Sequence, residues 1–182
     1  MSVDAPVRIA VTGTPGTGKT TLCVSSGWDY QTVTELATSN GCIEDTDPND
    51  GAAPVDVDRL HNLLLESWEK SEGHTLIDGH LSHHLPVDAI LILRCHPDTL
   101  RSRLQARDYS MEKTDENTES EFIGVIASEC FANSGIPCIE MDGSTLDPEE
   151  IFNRLEAWIA DGFKPPRPNE PTDWIATIHG GD

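Results

Sequence analysis

The chain has 182 residues, enough for one domain with its own core and giving no reason for a second. Its 32 acidic residues against 12 Lys and Arg, a formal net charge of −20, describe a surface that repels nucleic acid. No apolar run approaches the ~20 residues of a membrane span, and MSVDAPVRIA has neither a basic nor an apolar leader segment, so a cytoplasmic protein is expected.

The first predicted strand, Val7–Thr12, is an apolar run broken only by Arg8, and it feeds Gly13-Thr14-Pro15-Gly16-Thr17-Gly18-Lys19-Thr20-Thr21. That segment fits G-x-x-x-x-G-K-[ST] at every fixed position and precedes a predicted helix, Lys19–Ser25. A strand, a glycine-rich turn and a helix N-terminus aim several N–H groups and the positive end of the helix dipole at one point, which suits an anion. Gly16 and Gly18 would let phosphate approach the backbone, Lys19 would reach the β- and γ-phosphates, and Thr20 a magnesium ion. A strand at Tyr30–Val33 and a helix at Thr34–Ser39 follow, then an acidic loop, Glu44 to Gly51, too long and polar for a simple connector.

A helix is predicted at Val55–Lys70, with Leu60, Leu63, Leu64 and Trp68 at helical spacing as its core stripe. The next strand, Thr75–Asp78, carries Asp78 at its C-terminal tip, where a carboxylate would face the P-loop from the neighbouring strand and orient magnesium. Then comes Gly79-His80-Leu81-Ser82-His83-His84, whose three histidines invite a metal-site reading. The sequence offers no partner cysteine or carboxylate set to close a shell, and a histidine-rich loop over a nucleotide is as plausible, with His80 either touching the transferred phosphoryl group or its attacking water or standing as a solvated loop histidine.

Ala89–Arg94 is a strand with a continuous apolar run, as burial on both faces requires. Arg94, Arg101, Arg103 and Arg107 are half of the eight arginines, within fourteen residues. Such a cluster in a cation-poor chain asks for an anion; for Arg101 and Arg103 the alternative is compensation of the dipole at the end of helix Pro97–Arg107. Helices at Glu116–Ala132 and Pro148–Ala160 flank a last strand, Pro137–Met141. After Gly162 the chain turns proline-rich and is expected to run extended, with Trp174 and Ile175 as docking points. Strands alternating with helices predict an α/β fold with a parallel sheet covered on both faces. Cys23, Cys42, Cys95, Cys130 and Cys138 include no C-x-x-C pair and read mostly as small core residues.

Several of these motifs together carry a resemblance. They are Thr12 to Leu22, Asp56-Val57-Asp58-Arg59, Ile77-Asp78-Gly79-His80, Arg103-Leu104-Gln105-Ala106-Arg107-Asp108-Tyr109, and Glu116-Asn117 with Glu121. Over about residues 7–160 the chain resembles the nuclear-type adenylate kinase family, also called the adenylate kinase isoenzyme 6 or coilin-interacting nuclear ATPase group, and looks like an archaeal member from a halophile.

The resemblance implies a P-loop NTPase of the NMP-kinase kind, three αβα layers around a five-stranded parallel sheet. Residues 1–161 would form the kinase body, with an AMP-side region at about 32–54 and a lid at about 106–116, followed by the tail 162–182. It implies ATP and AMP as substrates with ATPase activity, and a small-subunit ribosomal protein as partner in ribosome maturation. Catalytic roles fall to Lys19, Asp78, His80 and Arg107, nucleotide binding to Gly16, Gly18, Lys19, Thr20, Thr21 and Arg107, and Mg2+ to Thr20 and, through water, Asp78. Three departures stand out: a short helix after the P-loop, Asp108 in place of the lid glycine, and Thr38 where eukaryotic members place an AMP-contacting arginine. A P-loop alone does not name the acceptor, so AMP, another small metabolite, or water in an ATP-switched assembly factor remain open.

Overall fold

The structure is a computed structural model that describes residues 5–44, 53–69, 72–132 and 135–180. Five parallel strands form one sheet: β1 (Arg8–Thr12), β2 (Asp29–Thr32), β3 (Thr75–Asp78), β4 (Ala89–Arg94) and β5 (Cys138–Asp142), in the order β2-β3-β1-β4-β5. The helices are α1 (Lys19–Ser25), α2 (Val33–Ser39), α3 (Val57–Ser67), α4 (Pro97–Gln105), α5 (Met111–Ile123), α6 (Val125–Ala132), α7 (Pro148–Ala160) and α8 (Trp174–His179). All five expected strands form, two of them shifted by one residue. The acidic loop predicted after Cys42 lies, from residue 45 to 52, outside the described residues.

The central strands are apolar throughout because both faces are covered, and their alternation sorts residues into two cores. Ala10, Ile77, Ile90 and Ile92 join α2, α3 and α6 on one side; Ile9, Val11, Leu76, Leu91 and Leu93 join α1 and α7 on the other. Leu60 and Leu64 of the expected α3 stripe are buried, while Leu63 and Trp68 pack at the margin. Each fully buried side chain of this size contributes roughly 1.5–3 kcal/mol. All five cysteines are buried and free. No helix among the described residues is long and apolar enough to cross a membrane.

Two expectations need correction. The helix predicted at Glu116–Ala132 starts earlier and is broken: the Ser110 side chain accepts from the Lys113 N–H to cap α5, and Gly124, at φ 69°, ends it before α6 begins. A Cβ at Gly124 would only touch the Arg94 guanidinium, 3.5 Å from its nearest nitrogen, so it is the left-handed backbone and not lack of space that favours glycine there. The proline-rich tail, in turn, is neither loose nor wholly extended. Pro166 accepts from the Cys138 N–H at 3.0 Å, Pro165 from Trp158 Nε1 at 2.9 Å, and the chain ends in α8, with Trp174 buried and Ile175 exposed. Asp173 caps that helix by accepting from the Ala176 N–H, a start signal that proline content masks.

Surface ion pairs such as Arg101 with Asp115 and Arg154 with Glu150 join half-exposed partners. Such pairs contribute roughly 0–1 kcal/mol each, so self-repulsion of −20 outweighs them. Salt screens that repulsion. Tm is therefore expected to rise from low salt to molar KCl, and a scan in which it stays flat or falls overturns this account.

Candidate functional site

The P-loop leaves the end of β1, and Val11 sits in register with Asp78 on β3. That pairing brings the strand-end carboxylate to the loop: Thr20 Oγ1 donates to Asp78 Oδ2 at 2.6 Å, and Asp78 is buried. Lys19 Nζ donates to the carbonyls of Gly13 at 2.8 Å and Thr14 at 3.0 Å. Burial lowers the Lys19 ammonium to about 8, against the opposing pull of Asp78 and Glu121. It therefore remains mostly charged at neutral pH, yet is poorly solvated and ready to exchange two carbonyls for a stronger anionic partner. Gly16 has φ 95°, and a Cβ there would stand 2.8 Å from Leu100 and 2.9 Å from Leu104, so α4 can pack directly under the loop only because this residue is glycine.

A cleft of about 520 Å3 opens beside the loop. One wall is Gly16, Gly18, Thr21 and Leu22; the other is residues 143–148 after β5, and Arg103 and Arg107 border it. Arg103 Nη2 donates to the Gly143 carbonyl at 2.7 Å, holding the second wall in place. Residues 143–148 were not singled out from sequence, although their place at the C-terminal end of a strand of a parallel sheet was a usable signal.

The arginine cluster does not act as one unit. Arg94 is buried and spent within the fold, its Nε donating to Glu121 Oε1 at 2.9 Å and its Nη1 to Glu140 Oε1 at 2.6 Å. Arg101 pairs with Asp115. Only Arg103 and Arg107 of the cluster border the cleft; the Arg107 backbone N–H donates to the Leu104 carbonyl, while its guanidinium has no hydrogen-bond or ion-pair partner among the described residues. The expectation that the whole cluster seeks an external anion fails for Arg94 because α5 and β5 bring two carboxylates to it. Each of those carboxylates lies in a segment that burial forbids to carry an unpaired charge, and that was the missed signal: Glu140 sits inside a sheet strand.

Glu121 is the hub of this arrangement. Besides Arg94, it accepts from Thr14 Oγ1 of the P-loop at 2.6 Å, from the Cys95 N–H at 3.1 Å and from Trp174 Nε1 at 3.1 Å. The P-loop, the C-terminal end of β4, α5 and the C-terminal helix thus meet on one buried carboxylate.

His80 is exposed at its edge and its pKa is held below the ordinary imidazole range, first by partial burial and then by Lys19. A neutral ring beside the P-loop is what the structure supplies. His83 lies elsewhere: it is buried beneath the loop, with Nδ1 2.9 Å from Thr12 Oγ1 and Nε2 3.1 Å from Glu129 Oε2. The histidines therefore do not form one loop over a nucleotide, and a carboxylate that the sequence did not associate with them comes from α6. Thr38 is exposed and donates to the Thr34 carbonyl at 2.7 Å, and Asp108 has φ 58°, a left-handed conformation that aspartate tolerates better than most residues.

For magnesium, the fit is one of donor chemistry. Thr20 Oγ1 and Asp78 Oδ2 are hard oxygen donors, adjacent to each other and to the phosphate-cradling loop. A small set of one or two protein oxygens, completed by water and substrate phosphates, is how this ion is usually held.

The AAA domain family matches residues 9–124. A protein named "Putative adenylate kinase" from Pyrococcus abyssi is 37% identical over 160 residues, 86% of each chain. One of the same name from Halobacterium salinarum is 35% identical over 164 residues, 88% of this chain and 94% of the other. A solved deoxyadenosine kinase from M. mycoides covers 85% of this chain and 98% of its own at 16% identity, with a TM-score of 0.52. At that identity the likeness bears on the fold, an α/β P-loop NTPase.

Proposed function

The chain belongs to the adenylate-kinase-like P-loop family of its archaeal relatives, and from that premise we propose that it passes the γ-phosphoryl group of ATP to AMP, giving two ADP, with some transfer to water. The observation that carries this reading is the cleft shared by the P-loop, Arg107 and residues 143–148, beside the Lys19 ammonium and the Thr20–Asp78 pair. Its volume of about 520 Å3 suits a nucleotide. Leu22, Leu146 and Ile151 offer apolar surface to a base, and Ser144 and Thr145 offer hydrogen bonds.

In this mechanism the P-loop N–H groups cradle the phosphates, and Lys19 leaves the carbonyls of Gly13 and Thr14 for the β- and γ-oxygens. Arg107 neutralises charge that builds on the transferred group, and neutral His80 hydrogen-bonds to it or to an attacking water. Thr20 and Asp78, the latter through water, would hold Mg2+, which supplies charge neutralisation on the phosphates. No protein nucleophile is needed; positioning and electrostatics do the chemistry.

The segment Arg103–Tyr109 and the Asp78-Gly79-His80 element favour the nuclear-type group within the family, and a role in small-subunit maturation belongs to the same proposal. A basic ribosomal protein would be attracted by the acidic surface. One experiment tests all of this: ADP formation from ATP in high salt, with no acceptor, with each nucleoside monophosphate, and with a basic ribosomal protein. AMP-dependent ADP formation above the ATP-only rate is expected. A rate indifferent to AMP but raised by the ribosomal protein would overturn the kinase in favour of an ATP-switched assembly factor.

The AMP side carries its own expected result. A hydroxyl at Thr38 cannot replace a bidentate arginine in charge or geometry. Thr38→Arg should lower the apparent constant for AMP by about tenfold for each ~1.4 kcal/mol recovered. Tight AMP use by the wild type that vanishes in Arg59→Ala would instead assign the role to Arg59, which is on the first turn of α3.

A further inference from the structure

We infer that His83, His84 and Glu129 form a binding site for a zinc-class divalent transition metal, separate from the Thr20–Asp78 pair. His83 and His84 sit on a single 3-10 turn, Ser82–His84, between β3 and β4, and Glu129 comes from α6. Both imidazole Nε2 atoms converge on one oxygen, Glu129 Oε2, at 3.1 Å from His83 and 3.8 Å from His84, and the three ligand atoms lie within 4.8 Å of one another. Bonds of about 2.0–2.1 Å in a tetrahedral shell put neighbouring ligand atoms roughly 3.3 Å apart. The two carboxylate distances bracket that spacing, and rotation of the exposed His84 ring closes the rest.

Three further features suit an ion. The far nitrogen of His83, Nδ1, is paired with Thr12 Oγ1 at 2.9 Å, the kind of outer partner that fixes the tautomer and orientation of a metal-bound imidazole. The His83 side chain is 2% exposed whereas His84 and Glu129 are 41% and 46% exposed, so one ligand is anchored in the core and the site opens to solvent through the other two. Two imidazole nitrogens and one carboxylate are donors of intermediate softness, which select zinc and its neighbours over magnesium and leave a coordination position for water. A bound ion would tie the turn that follows His80 to α6.

The test uses the full chain, stripped with a chelator and held in excess magnesium so that oxygen sites are occupied, and titrates zinc by calorimetry. One zinc per chain is expected, with Glu129→Gln and His84→Ala each weakening binding at least tenfold; both positions are exposed enough for the variants to fold. Cobalt in place of zinc should give the visible absorption of a low-coordinate nitrogen and oxygen shell, absent in both variants. No zinc binding by the folded wild type, or binding unchanged in both variants, overturns the site and leaves the three residues as a hydrogen-bonded cluster.

Discussion

Lys19→Ala should abolish turnover while the protein stays folded, with kcat falling at least about a hundredfold. Loss of one preorganised donor from a site of developing negative charge costs about 10²–10³ in kcat, and Lys19 is the one cation inside the P-loop. It is 9% exposed and bonded to two loop carbonyls, so its charge is held in a poorly screened place and moves only a short way to reach phosphate. Stability should change little, because the substitution removes an ammonium that burial already disfavours, its pKa being lowered to about 8. Nucleotide affinity, kcat and Tm measured together check this. A folded variant that keeps most of its kinase and ATPase activity would sink the P-loop assignment.

Glu121→Ala should be the most damaging single change for stability. Removing one partner from a buried ion pair leaves the other charge uncompensated and costs about 3–5 kcal/mol. Here Arg94 would keep Glu140, but Thr14, Cys95 and Trp174 would each lose an acceptor as well. At about 2–4 °C per kcal/mol for a chain of this size, Tm should fall by roughly 6–20 °C. Because Thr14 belongs to the P-loop, KM for ATP should rise in the same variant. Glu121→Gln separates charge from geometry: it keeps an acceptor oxygen of similar shape and should fall between wild type and alanine. Thermal melts of the three proteins decide it; an alanine variant that melts with the wild type would show that the hub stabilises nothing.

The same residues divide what was legible in the chain from what was not. The P-loop could be read because its function is local: eight consecutive positions, a strand before and a helix after, specify the cradle without reference to the rest of the fold. The five strands could be read for a similar reason, since burial on both faces demands short continuous apolar runs such as Ile90 to Leu93. Asp78 was placed correctly at a strand tip, and its register beside Val11 brought it to Thr20.

Pairing across long sequence separation is where local pattern stops. Arg94 looked like part of an anion-seeking cluster with Arg103 and Arg107, yet Glu121 and Glu140 reach it from α5 and β5. His83 and His84 looked like a loop without a carboxylate, yet α6 brings Glu129, 46 residues from His83. Trp174 looked like a docking point of unknown target, and its target is Glu121. A charge pattern along the chain states which groups must find partners once buried, because an unpaired charge cannot be left in the interior. Which partner each finds depends on strand order and helix packing, β2-β3-β1-β4-β5 with helices on both faces. Composition, motif and periodicity therefore determined the fold class and the phosphate cradle, while the second wall of the cleft, the buried ion hub and the His–Glu cluster were decided only when the sheet set distant segments side by side.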